Sequence, residues 1–176
     1  IRSRLVGSEM CIRDRDNGAE VKAYILLKPP YLSEKEGIED AVQSAIDAAP
    51  HVDKISINPL NVQKNTVVEK LWFRNEWVAP WLWSVVDVLQ KCEDLPVRVY
   101  SDPTGGGTRR GAHNCHDCNK KVLESLKNHR LGLGDLKGLH CNCKSRWNAI
   151  VNQSKLRRNG SEPHGYRSGF TGGRHF

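Results

Sequence analysis

Four cysteines carry the strongest chemical signal in the chain. Cys115-x-x-Cys118 and Cys141-x-Cys143 are separated by 22 residues, each pair spaced for a tight turn. Two thiolate pairs on tight turns suit tetrahedral Zn²⁺, and a site filled by four cysteines is structural rather than catalytic. Four thiolates also suit iron, so an iron–sulfur cluster is the main rival, and free structural cysteines are the third reading. His113, His116 and His140 are near enough to replace one cysteine. Cys11 and Cys92 stand apart. Paired cysteines of this kind point to metal binding in a reducing, cytoplasmic compartment, not to a secreted disulfide scaffold.

A second cluster follows a strand. Ile55 and Ile57 alternate with polar neighbours up to Pro59, which has no N–H for a sheet. Thr66 with Glu69 forms a capping box, predicting a helix that carries Val67, Val68, Leu71 and Trp72 inward. Asn58, Asn61, Gln63 and Lys64 lie between the two. Loops leaving the C-terminal ends of parallel strands are where α/β sheets meet ligands; equally, Asn58 and Asn61 can do no more than shape a turn around Pro59. Further on, Thr104-Gly-Gly-Gly-Thr-Arg-Arg-Gly111 lacks the Gly-Lys-Ser/Thr of a P-loop. Its glycines suit close approach of backbone N–H groups to an anion, with Arg109 and Arg110 as a phosphate fork. A flexible linker between barrel and appendage is the other reading, and the two are compatible.

The elements that position these groups read as α/β. Val21–Leu27 is an apolar run continuous enough for burial on both faces of a parallel sheet. Ser33 and Glu36 make a capping box, followed by Ile38, Ala41, Val42, Ala45, Ile46 and Ala49 at helical spacing. Pro80 opens a helix over 81–91 with Leu82, Val85, Val86 and Leu89 on one face, and Val97–Tyr100 is a third strand. A short helix over 120–129 separates the cysteine pairs. Trp72, Trp77, Trp81 and Trp83 are expected to pack between helices and sheet, since a buried indole removes much apolar area from water.

The net charge of +7 conceals a split. Residues 16–104 hold nine Lys/Arg against fourteen Asp/Glu, whereas 105–176 hold fourteen against four. A basic C-terminal part points to nucleic acid or phosphate. No apolar run approaches the ~20 residues of a membrane span. Residues 1–15, IRSRLVGSEMCIRDR, resemble translated sequencing adapter, so natural sequence is expected to start at Asp16, inside a longer protein. The expected organisation is 1–15 non-native, 16–104 a partial α/β barrel, 105–152 a Gly/Arg loop with a four-cysteine module, and 153–176 a basic disordered tail. A barrel piece leaves strand edges unpaired, which predicts poor stability in isolation.

Four stretches together resemble a known family: Leu27-Lys-Pro-Pro30, Ser56-Ile-Asn-Pro-Leu-Asn-Val-Gln63, Pro80-Trp-Leu-Trp-Ser84, and Gly107-Thr-Arg-Arg-Gly-Ala-His-Asn-Cys115 with its partner cysteines. Residues from about 21 to 147 resemble the C-terminal half of the radical S-adenosylmethionine (SAM) proteins of archaeosine biosynthesis, partners of archaeosine synthase and relatives of the elongator catalytic subunit. The resemblance implies the C-terminal half of a partial (β/α)₆ barrel with SAM on a [4Fe–4S] cluster, cleaving a C–N bond in a lysine-adducted 7-deazaguanine of tRNA. It implies that Lys28 and Asn58 face the barrel mouth, toward SAM or substrate, and that Asn61 and Gln63 hydrogen-bond adenine or the modified base. Arg109 and Arg110 would hold tRNA phosphate or the partner subunit. Cys115, Cys118, Cys141 and Cys143 would hold Zn²⁺. The cluster motif CxxxCxxC of such proteins does not occur in this chain, so the chain alone is expected to be inactive. The competing class is a non-catalytic zinc-containing RNA-binding module; another radical SAM tRNA-modifying enzyme is a third.

Overall fold

The computed structural model describes residues 17–153; the expected adapter segment and basic tail lie outside that range. Three parallel strands, β1 (Lys22–Leu27), β2 (Lys54–Pro59) and β3 (Arg98–Ser101), pair in the order β1-β2-β3. Helix α1 (Glu34–Ala48) connects β1 to β2, with a single 3-10 turn at Ala49–His51. Helices α2 (Val67–Phe73) and α3 (Leu82–Lys91) connect β2 to β3. Helix α4 (His116–Leu131) follows β3, and α5 (Cys143–Gln153) ends the described chain. This is the small parallel α/β sheet that the three strand-length stretches predict.

The Ser33 capping box is complete: its hydroxyl accepts from the Glu36 N–H, and the Glu36 carboxylate accepts from the Ser33 N–H. The Thr66 box is half made. Thr66 accepts from the Glu69 N–H, but the Glu69 carboxylate reaches the Asn65 N–H instead. Val67 points outward at 64 % exposure, correcting one member of the expected inward set, whereas Leu71 is buried and Val68 and Trp72 pack partly buried beside it. A seven-residue helix turns only one narrow arc to the core.

One face of the sheet buries Ile25, Leu27, Ile55, Ile57 and Val99 against α1, α3 and α4. On the opposite face Tyr24 and Leu26 are exposed. The expectation that the first strand is buried on both sides therefore fails among the described residues, because the helices pack on one face of the sheet and none of them covers Tyr24 and Leu26 on the other. On that face register aligns Tyr24, Ser56 and Tyr100 in one row. The Lys22 ammonium spans the row, 4.3 Å from the Tyr24 ring centroid and 4.9 Å from that of Tyr100, which accounts for the burial of Ser56 between them.

The expected appendage shares the sheet's core. Cys118, Val122 and Leu126 of α4, Leu136, and Trp147 of α5 belong to one buried cluster with the strands, α1 and α3. Helix α4 packs on β3 and α3, and α5 packs on α1. It runs longer than the expected 120–129, and Gly132 closes it in the left-handed conformation. Trp83 is almost fully buried, and Trp77 sits in a small second cluster with Val62, Leu71 and Ala79.

Candidate metal centre and strand-end cleft

Both cysteine pairs sit at helix starts. Cys115 is the N-cap of α4, Cys118 lies in its first turn, and Cys143 begins α5. Helix N-termini favour negative charge, so both ends of the site stabilise thiolates. The four Sγ atoms lie within 4.8 Å of one another. Cys115 is 3.5 Å from both Cys118 and Cys141, and Cys118 is 3.5 Å from Cys143. A tetrahedron with Zn–S bonds of about 2.3 Å has edges of about 3.8 Å. The cage therefore fits one ion with all four positions filled by sulfur. His116 is fully exposed and His113 turns its Nδ1 to the Gly111 carbonyl, so the four cysteines, not a histidine, converge.

The electrostatics call for a cation. Burial, then the neighbouring thiols, push Cys118 well above its ordinary value, and burial raises Cys115. Burial also opposes ionisation of Cys143, but the Trp83 N–H and further donors outweigh it and bring this thiol down to about 7. One thiolate is favoured and its neighbours are not; a bound cation is what lets all four ionise together.

A buried polar network ties this centre to the sheet. Trp83 Nε1 donates to Cys143 Sγ at 3.3 Å, and its backbone N–H donates to Asn114. Trp147 of α5 donates to Ser84 Oγ at 2.8 Å, and Ser84 donates to Glu34 Oε1 at 2.5 Å. Glu34 also accepts from the Trp81 N–H and, through Oε2, from Lys28 Nζ at 2.7 Å. Lys28 is 3 % and Glu34 1 % exposed. Lys28, expected at the barrel mouth, is instead locked in the interior. Its φ of 58° sends the chain through a left-handed turn after β1, and α1 presses on it so closely that a Cβ at Gly37 would stand 2.9 Å from Lys28 Cα. Sequence reasoning missed Glu34, which reads there as one more acid in a helix's first turn.

The rim residues divide. Asn58 and Asn61 line a cleft of about 190 Å³ with Leu26, Pro59, Leu60, Asp102 and Thr104, at the C-terminal ends of the strands. Asn58 accepts from the Ser56 hydroxyl, Asn61 donates to the Thr104 carbonyl, and Gln63 donates to Asn61. Asp102 was the missed member, although a carboxylate just past a parallel strand is the signal that marks such a rim.

The glycine segment is neither a free linker nor an open nest. Its N–H groups are used internally: Gly106 to Pro103, Gly107 to Ala112, Thr108 to Gly105, and Gly111 to Thr108. A Cβ at Gly111 would stand 2.3 Å from the Gly105 carbonyl oxygen, so only glycine closes this loop. Arg110 is clamped inward, its guanidinium 2.6 Å from Glu69 and stacked 5.0 Å from the Trp72 ring centre. Arg109 remains exposed.

No family model matches the chain. Among curated proteins, it is 43% identical to archaeosine synthase subunit beta of Methanosarcina acetivorans over 140 residues, 76% of this chain and 40% of that protein. It is 42% identical to archaeosine synthase subunit beta of Thermococcus kodakarensis over 144 residues, 79% of this chain and 44% of that protein. An uncharacterized protein of Methanocaldococcus jannaschii is 34% identical over 137 residues, 74% of this chain and 38% of that protein. A small parallel α/β sheet joined to a four-cysteine centre is thus the class of protein that fold and site define. More particularly, the chain is a homologue of archaeosine synthase subunit beta and spans about two fifths of its relatives' length. No helix among the described residues is long and apolar enough to cross a membrane.

Proposed function

We propose that this chain is part of a radical SAM tRNA-modifying protein of archaeosine biosynthesis, acting with a partner subunit on a lysine-adducted 7-deazaguanine in tRNA. The observation that carries the reading is the homology to archaeosine synthase subunit beta, which covers about three quarters of this chain. The three β/α units supply one wall of a barrel, and Asn58 and Asn61 offer hydrogen bonds at its rim to SAM or the modified base. The four cysteines hold Zn²⁺ in a closed structural site and hold α4 and α5 against the sheet. A SAM-binding [4Fe–4S] cluster supplies the radical in such proteins; no CxxxCxxC motif in this chain fits it. Acting alone, this chain is inactive.

The test is archaeosine formation in tRNA by the full-length protein with its partner subunit. Asn58→Ala is expected to lower turnover by about tenfold or more through lost positioning, with metal content unchanged. Unchanged turnover removes its assigned role. The second reading, a zinc-containing RNA-binding module without catalysis, is favoured by the metal centre lying wholly within this chain; it predicts RNA binding with no dependence on Asn58.

A further inference from the structure

Helix α2 turns an unusual set of side chains to solvent. Phe73 is 65 % exposed, and Lys70, Arg74 and Val67 are exposed beside it. At about 100° per residue, Phe73, Lys70, the C-cap Arg74 and Val67 follow one another around a single arc, on the side away from Val68 and Trp72, which pack on the second cluster. The adjoining acid, Glu69, is neutralised by Arg110, which also stacks on Trp72. That clamp brings the glycine loop, and with it exposed Arg109, against this helix. Trp72 in turn braces Phe73, their ring centres 5.1 Å apart at 57°. The loop before α2 carries Asn61, which lines the strand-end cleft.

An exposed ring beside three cations that make no ion pair among the described residues does not fit a purely apolar partner. It fits a polyanion whose units carry flat faces. We propose that the exposed face of α2, extended by Arg109, is a docking surface for single-stranded or looped RNA, with Phe73 as the stacking platform and Lys70, Arg74 and Arg109 on the phosphates. The inference rests on the proposed function for its substrate class, and it assigns that RNA a place on the protein.

The experiment measures binding of a labelled tRNA transcript to the full chain by fluorescence anisotropy across a salt series. Phe73→Ala is expected to weaken binding roughly tenfold, with Phe73→Tyr restoring it. Lys70→Ala with Arg74→Ala is expected to lower the slope of log K against log salt by about 1.4, two single-strand phosphate contacts. These side chains are exposed, so far-UV circular dichroism is expected to stay unchanged. Unaltered affinity and slope in all variants, absence of any RNA binding by the parent chain, or a loss confined to assembly with a partner subunit would each overturn the proposal. Weakened RNA binding here, together with no archaeosine formed by the full-length protein and its partner subunit, would sink the catalytic reading and leave this surface standing.

Discussion

Glu34→Ala is expected to destabilise the chain by about 3–5 kcal/mol, the cost of leaving a buried charge without its partner. Lys28 is enclosed by the left-handed turn after β1 and by α1, so its ammonium cannot reach water without moving backbone. The loss reaches further than one ion pair. Glu34 also accepts from Trp81 and Ser84, and Ser84 accepts from Trp147, so the substitution strips acceptors from α3 and unmoors α5. Glu34→Gln keeps acceptors for Trp81 and Ser84 but still strands Lys28, and an intermediate loss is expected. Urea unfolding followed by circular dichroism measures both. A shift of the Glu34→Ala midpoint worth less than about 1 kcal/mol would show that Lys28 finds water or another partner.

Cys118→Ser, or removal of the metal by a chelator, is expected to undo α5 and the N-terminal turns of α4. Structural Zn²⁺ contributes roughly 10–16 kcal/mol of apparent binding free energy at such sites, and that energy is folding energy. Without the ion, four close sulfurs have no common partner, and burial opposes ionisation of Cys118 and Cys115. Because Cys118 and Trp147 belong to the sheet's own core, the damage is expected to expose Trp83 and Trp147. A red shift of tryptophan emission with loss of helical signal reports it. Emission unchanged by the chelator, with Cys118→Ser as stable as the parent within about 0.5 kcal/mol, would mean that packing alone holds the module.

The parts legible in the sequence were those fixed by neighbours a few residues apart. Ser33 and Glu36 close their box within one turn, and Cys115 and Cys118 stand three residues apart, so spacing alone announced the cap and the cysteine pair, though not the helix start that the pair shares. Groups settled by distant partners were misread. Lys28 was assigned to the mouth by its place after a strand, but Gly37 and Glu34 draw it inward. Glu69 was expected to cap Thr66, but Arg110, 41 residues on, shares its carboxylate. The glycine run looked free because nothing local shows that Gly105 and Gly111 touch. Domain boundaries suffered likewise: the charge split marks residue 105 as a border, yet the apolar residues on either side of it fill one core.

The most direct test of the central claim, one metal ion held by four cysteines that lock two helices onto a parallel sheet, is metal content with X-ray absorption on the full chain. The account predicts one zinc per chain with four sulfur neighbours at about 2.3 Å. Iron with inorganic sulfide, or a folded chain that binds no metal, would contradict it.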